Sequence, residues 1–76
     1  MTERKKKELA AKLYLLRMQE DYAERHFRTA EQYLKQGNIA SHVMYLGFAA
    51  TGYRLVARSQ IEIAELKAEI MELCHD

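Results

Sequence analysis

Along the first half of the chain, Leu9, Leu13, Leu16, Ala23, Phe27, Ala30 and Leu34 recur three, four or seven residues apart, with Glu20 filling the long gap. That spacing marks one stripe of an α-helix. A second apolar set lies about a third of the way round, at about 100° per residue. It holds Leu15, Met18, Tyr22, His26, Thr29 and Tyr33. The remaining positions carry Arg17, Asp21, Glu24, Arg25, Arg28, Glu31, Gln32 and Lys35. Opposite charges four apart read as a solvated face. The pattern predicts a helix over residues 3–36.

In the second half the polar arc is narrow. Arg54, Arg58, Glu62, Glu65, Glu69 and Glu72 share about a quarter of the circumference. One heptad-like row, of the kind found in a coiled coil, runs through Val43, Leu46, Ala50, Tyr53, Ala57, Ala64 and Met71, broken by Gln60 and Lys67. Another holds Phe48, Val56, Ile63, Leu66, Ile70 and Leu73. The pattern predicts a helix over 39–74, apolar on most of its girth and therefore buried on more than one side. Gly47 and Gly52 each cost about 1 kcal/mol against alanine in a helix interior. Either a close neighbour offsets that cost, or the chain kinks across 47–52 to give three helices.

Between the two patterns stands Gly37-Asn38, in a chain without proline. Glycine suits the left-handed position that ends a helix, and asparagine suits the cap that begins one. A fold at 37–38 sets opposite each other residues whose numbers sum to about 75. Leu9 then meets Leu66, Leu13 meets Ile63, Phe27 meets Phe48 and Ala23 meets Gly52, with Asp21 near Arg54. The basic run Arg4, Lys5, Lys6 and Lys7 falls beside Glu65, Glu69 and Glu72. Each run opposes its own helix macrodipole, and each screens the other.

The expected architecture is all-α: one antiparallel helical-hairpin domain over 1–76 (helix 3–36, turn 37–38, helix 39–74). The chain has 76 residues, and a domain of this size buries only about 60% of its unfolded surface. One shared stripe offsets little of the entropy of ordering two long helices. Pairing hairpins into a four-helix-bundle-type oligomer covers the remaining apolar faces. A homo-oligomer is expected, a dimer first, or else docking of a partner protein on the same faces. The residues expected at that interface are Tyr22, His26 and Tyr33 from the first helix, with Leu46, Ala50, Tyr53, Ala57 and Ala64 from the second. Tyrosine suits such surfaces through its apolar body and polar tip, and it equally suits the boundary of a core.

Composition narrows the chemistry. Charged residues make up 30% of the chain, yet the net charge is +1. A dominant polyanion-binding surface usually carries a marked basic excess. The exception is the basic start, where Arg4, Lys5, Lys6, Lys7 and Lys12 form the alternative reading: nucleic-acid binding by a hairpin dimer. The single cysteine, Cys74, makes no internal disulfide and suits a reducing, cytoplasmic setting. No signal-peptide run follows residues 1–7, and His42 and Arg54 interrupt the richest apolar stretch, so no membrane span is expected. Of the histidines His26, His42 and His75, the first two do not share a level of the hairpin, and His75 adjoins Cys74, from which it diverges on a helix. No metal site, cofactor, small-molecule substrate or enzymatic constellation is read. The expected function is non-enzymatic: a regulator, adaptor or inhibitor acting through protein–protein contact.

Ala30, Tyr33, Gly37, Leu46 and Ala49 resemble part of the tetratricopeptide pattern, which implies a helical hairpin. His42 stands where that pattern has a small residue, and both helices outrun the repeat. The architecture is also similar in shape to small plasmid-type RNA-binding hairpin dimers, without a shared motif.

Overall fold

In a computed structural model, which describes residues 2–74, the chain forms two helices, α1 (Thr2–Lys35) and α2 (Ile39–Leu73), packed antiparallel along their length. The hairpin measures 60 × 15 × 12 Å. Met1, His75 and Asp76 lie outside the described residues.

The connection is built from local chemistry. Gly37 takes φ +78, the left-handed conformation that side chains resist. Its N–H donates to the Leu34 carbonyl at 3.0 Å, and Asn38 N–H donates to the Tyr33 carbonyl at 2.9 Å. These are the two bonds of a Schellman motif. Asn38 then turns from last donor of one helix to cap of the next: its Oδ1 accepts from Ser41 N–H at 3.1 Å. His42 adds a clamp, its Nδ1 lying 2.7 Å from the Ala30 carbonyl oxygen. Since a carbonyl only accepts, Nδ1 carries the proton.

Helix α2 runs without a break through 47–52, so the three-helix alternative does not hold. The reason lies opposite Gly52. A Cβ built there would stand 2.9 Å from Ala23 Cβ and 3.0 Å from Ala23 Cα. The missing methyl is what allows the helices to approach, as expected from the placing of Ala23 against Gly52.

The contact line itself differs from the apolar stripe read from the sequence. On α1 the seam runs through Lys5, Leu9, Lys12, Leu16, Gln19, Ala23, His26, Ala30 and Tyr33, all buried or half-buried and alternating three and four apart. Their partners on α2 follow the same alternation through His42, Tyr45, Ala49, Gly52, Val56, Ser59, Ile63, Leu66 and Ile70. The buried apolar side chains are Ala23, Ala30, Ala49, Ile63 and Leu66. Leu13, Phe27 and Leu34, expected in the seam, remain 40–49% exposed. Bulky side chains at the crossing would hold the backbones apart, whereas small ones let every neighbouring atom pair reach contact distance. His26 therefore faces Phe48 (5.5 Å between rings) in place of Phe27. Asp21 pairs with Arg25 at 3.2 Å and not with Arg54, because four residues along one helix is a shorter reach than across the crossing.

Toward the open end the seam becomes charged. Lys5 Nζ lies 2.7 Å from Glu69 Oε2, and Lys12 Nζ 3.1 Å from Glu62 Oε2. The lysine stems lie along the seam while the ammonium groups reach its edge. These cross-helix pairs follow the register expected from the turn. Midway, Ser59 Oγ donates to Gln19 Oε1 at 2.6 Å, which satisfies the buried serine.

Candidate interaction surface

A seam of small and polar side chains leaves the large apolar ones on the two flanks of the hairpin. Helical spacing puts Leu15, Met18 and Tyr22 of α1 on the same flank as Met44, Phe48, Thr51 and Leu55 of α2. Leu15, Met18, Gln19, Tyr22, Thr51 and Leu55 line an open groove of about 340 Å³ there, walled almost wholly by carbon. Met18 is 54% exposed and Leu55 39%. Gln19 supplies the groove's polar floor, its amide oxygen already engaged by Ser59.

Between this groove and the turn, rings from both helices form one cluster. Tyr22 meets His26 edge-on at 4.3 Å, His26 lies 5.7 Å from Tyr45, and Tyr33 stacks on Tyr45 at 5.5 Å. Phe48 meets Tyr45 edge-on, also at 5.5 Å. Edge-to-face and offset contacts match positive ring edges to negative faces. The cluster stiffens the turn half of the hairpin and gives the groove a rigid aromatic border.

The opposite flank carries Leu13, Phe27 and Leu34 of α1 with Val43, Leu46, Ala50, Tyr53, Ala57, Ala64 and Met71 of α2. The eight residues expected at a common interface are thus divided. Tyr22, His26 and Tyr33 belong to the groove flank, with His26 and Tyr33 half-buried in the ring cluster. Leu46, Ala50, Tyr53, Ala57 and Ala64 belong to the other flank. Leu55, Thr51 and Gln19 escaped the sequence reading. For Leu55 the signal was a heptad row shared by Phe48, Leu55, Glu62 and Glu69, whose acidic half disguised its apolar half.

Charge is distributed unevenly along the molecule. At the open end α1 carries Arg4, Lys5, Lys6, Lys7 and Lys12 against Glu3 and Glu8, a net +3 over residues 2–12. Facing it, α2 carries Glu62, Glu65, Glu69 and Glu72 against Lys67, a net −3 over 61–73. Hydrogen bonding to Glu69, and then its charge, raises the Lys5 pKa above the ordinary 10.5. Arg4, Lys7, Glu65 and Glu72 take part in none of the ion pairs described. Of the five cations considered for nucleic acid, Lys5 and Lys12 are occupied across the seam, and Lys6 lies 3.9 Å from Glu3.

Among the described residues no three His, Cys, Asp or Glu side chains converge, and no helix is long and apolar enough to cross a membrane. Cys74 is exposed, while its neighbour His75 lies outside the described residues. Comparison with protein-family models, with curated proteins and with solved structures finds no match.

Proposed function

We propose that this chain is a non-enzymatic interaction protein, a hairpin that works by presenting helix flanks to a second copy and to a partner protein. In this reading it is a regulator, adaptor or inhibitor, active in a reducing cytoplasmic setting that suits its lone cysteine. One observation carries the reading: the seam consumes small and polar side chains and leaves Leu13, Met18, Phe27, Val43, Phe48, Tyr53 and Leu55 substantially exposed. Apolar surface extending over long flanks is the mark of an association face, whereas single exposed apolar residues are ordinary.

Light scattering over a range of concentrations tests it. Self-association gives a mass of at least two chains that falls on dilution. A folded, rigid single chain at every concentration contradicts the self-association half of the proposal. Capture of a defined partner is then the remaining route to function.

Nucleic-acid binding through Arg4, Lys5, Lys6, Lys7 and Lys12 is the weaker alternative, because the facing glutamates neutralise much of that field. A gel shift at low salt that disappears steeply as salt rises supports it, and no shift at low salt removes it.

A further inference from the structure

We propose that a second copy of this chain docks on the groove flank, with the two-fold axis along the hairpin's length, so that both turns lie at the same end. This rests on the self-association proposed above and assigns it a face and an orientation.

The argument starts from charge. At the open end of the groove flank, helical spacing puts Glu62, Glu65 and Glu69 along the α2 edge, with Glu72 just beyond. The same projection puts Arg4 and Glu8 on the groove side of α1, with Lys7 on its outer face and Lys5 and Lys12 at the seam. The groove flank of each copy therefore has a weakly basic edge (Arg4 and Lys7 against Glu8, net +1), an acidic edge and an apolar middle. Two such flanks meet face to face in two symmetric ways. A two-fold axis along the length lays α1 of one copy over α2 of the other, at the same level. The +3 segment then faces the −3 segment, Arg4 and Lys7 approach the partner's acidic edge, and every neighbouring helix pair is antiparallel, which suits the macrodipoles. The apolar middles coincide, with Met18 and Tyr22 over the Thr51 and Leu55 side of the copy.

A two-fold axis across the length inverts one hairpin. It sets the basic start of α1 against the partner's turn end, where Arg25 and Arg28 are already paired with Asp21 and Glu24, and it leaves the four glutamates over Met44, Phe48 and Thr51. Neither the basic start nor the acidic edge then meets its complement, and the uncompensated acids oppose the contact. The opposite flank gives no such discrimination, since at its open end it carries Lys6 and Lys67 and no facing acid.

Size agrees. A long side of 60 by 15 Å offers on the order of 900 Å², against about 800 Å² per partner in a standard interface.

Spin labels read the orientation directly. The chain carries Cys74→Ser and Gln36→Cys, so that each copy bears one label in the turn. The result expected is a dimer by sedimentation with labels about 20–30 Å apart, allowing for helix spacing and label arms. Met18→Glu, at an exposed position, abolishes the dimer and gives a single-chain mass, and Ala57→Glu on the opposite flank keeps the dimer and the parent's helical content. A dimer whose labels stand near the full 60 Å length overturns the orientation and leaves self-association intact. Loss of the dimer with Ala57→Glu, alone or alongside Met18→Glu, overturns the choice of flank. A single-chain mass for the parent protein overturns this proposal and the self-association beneath it.

Discussion

Gly47 and Gly52 stand on one helix and have opposite roles. Nothing lies within 4 Å of a Cβ built at Gly47, whereas one at Gly52 meets Ala23 at 2.9 Å. Gly47→Ala is expected to stabilise the fold by about 0.5–1 kcal/mol, since only backbone entropy changes. Gly52→Ala is expected to destabilise it by about 1 kcal/mol or more, because overpacking at the crossing outweighs the gain in helix propensity. Chemical denaturation at equal chain concentration measures both. Adding Ala23→Gly to Gly52→Ala returns the lost space and recovers part of the stability. If Gly52→Ala instead stabilises as Gly47→Ala does, the close crossing is not where the structure puts it.

At the scale of elements, what could be read in advance was what local chemistry decides. Gly37 and Asn38 announce a left-handed residue and a cap, and both helices end within a residue of where periodicity places them. Asn38→Ala is expected to cost about 1 kcal/mol through the lost bond to Ser41 N–H. The seam was less legible. Four apolar rows compete for it, and hydrophobicity favours Leu13, Phe27 and Leu34. The row that wins holds Gln19, Ala23, His26 and Ala30, because the helices settle where they approach most closely. Three-four spacing of small residues was the available signal, and a reading weighted by side-chain size passes over it. The groove was hidden for the same reason, since Leu55 becomes prominent only once the seam beside it is fixed. Cross-helix charge was foreseeable and has a pH signature. The Lys5 pKa is raised above 10.5 by its hydrogen bond to Glu69. The protonated form therefore adds stability below the unfolded value, and this is lost as pH rises through the raised folded value. Thermal midpoints followed from about pH 9 to 12 should fall more steeply for the parent chain than for Lys5→Met. Parallel curves would mean the pair contributes nothing to the fold.

For the molecule as a whole, the question is how a rod of 60 × 15 × 12 Å stays folded with no large side chain fully buried among the described residues. The seam hydrogen bonds and the turn fix which way the helices pair, but exposed ion pairs such as Lys5 with Glu69 are screened by solvent and add little. The apolar area that would stabilise the rod sits on its flanks, where a single chain leaves it in water. Folding and association should then be one equilibrium, in which dilution acts as a denaturant. If two folded chains dissociate into two unfolded ones, each tenfold dilution removes about 1.4 kcal/mol from the apparent stability of the dimer. The urea midpoint should accordingly drop across a hundredfold dilution. Met18→Glu should lower it at every concentration and make it insensitive to concentration. This comparison separates the seam from the flank: a midpoint already flat in the parent chain would show that the small-residue seam suffices, and that the exposed leucines and aromatics serve something other than holding this fold together.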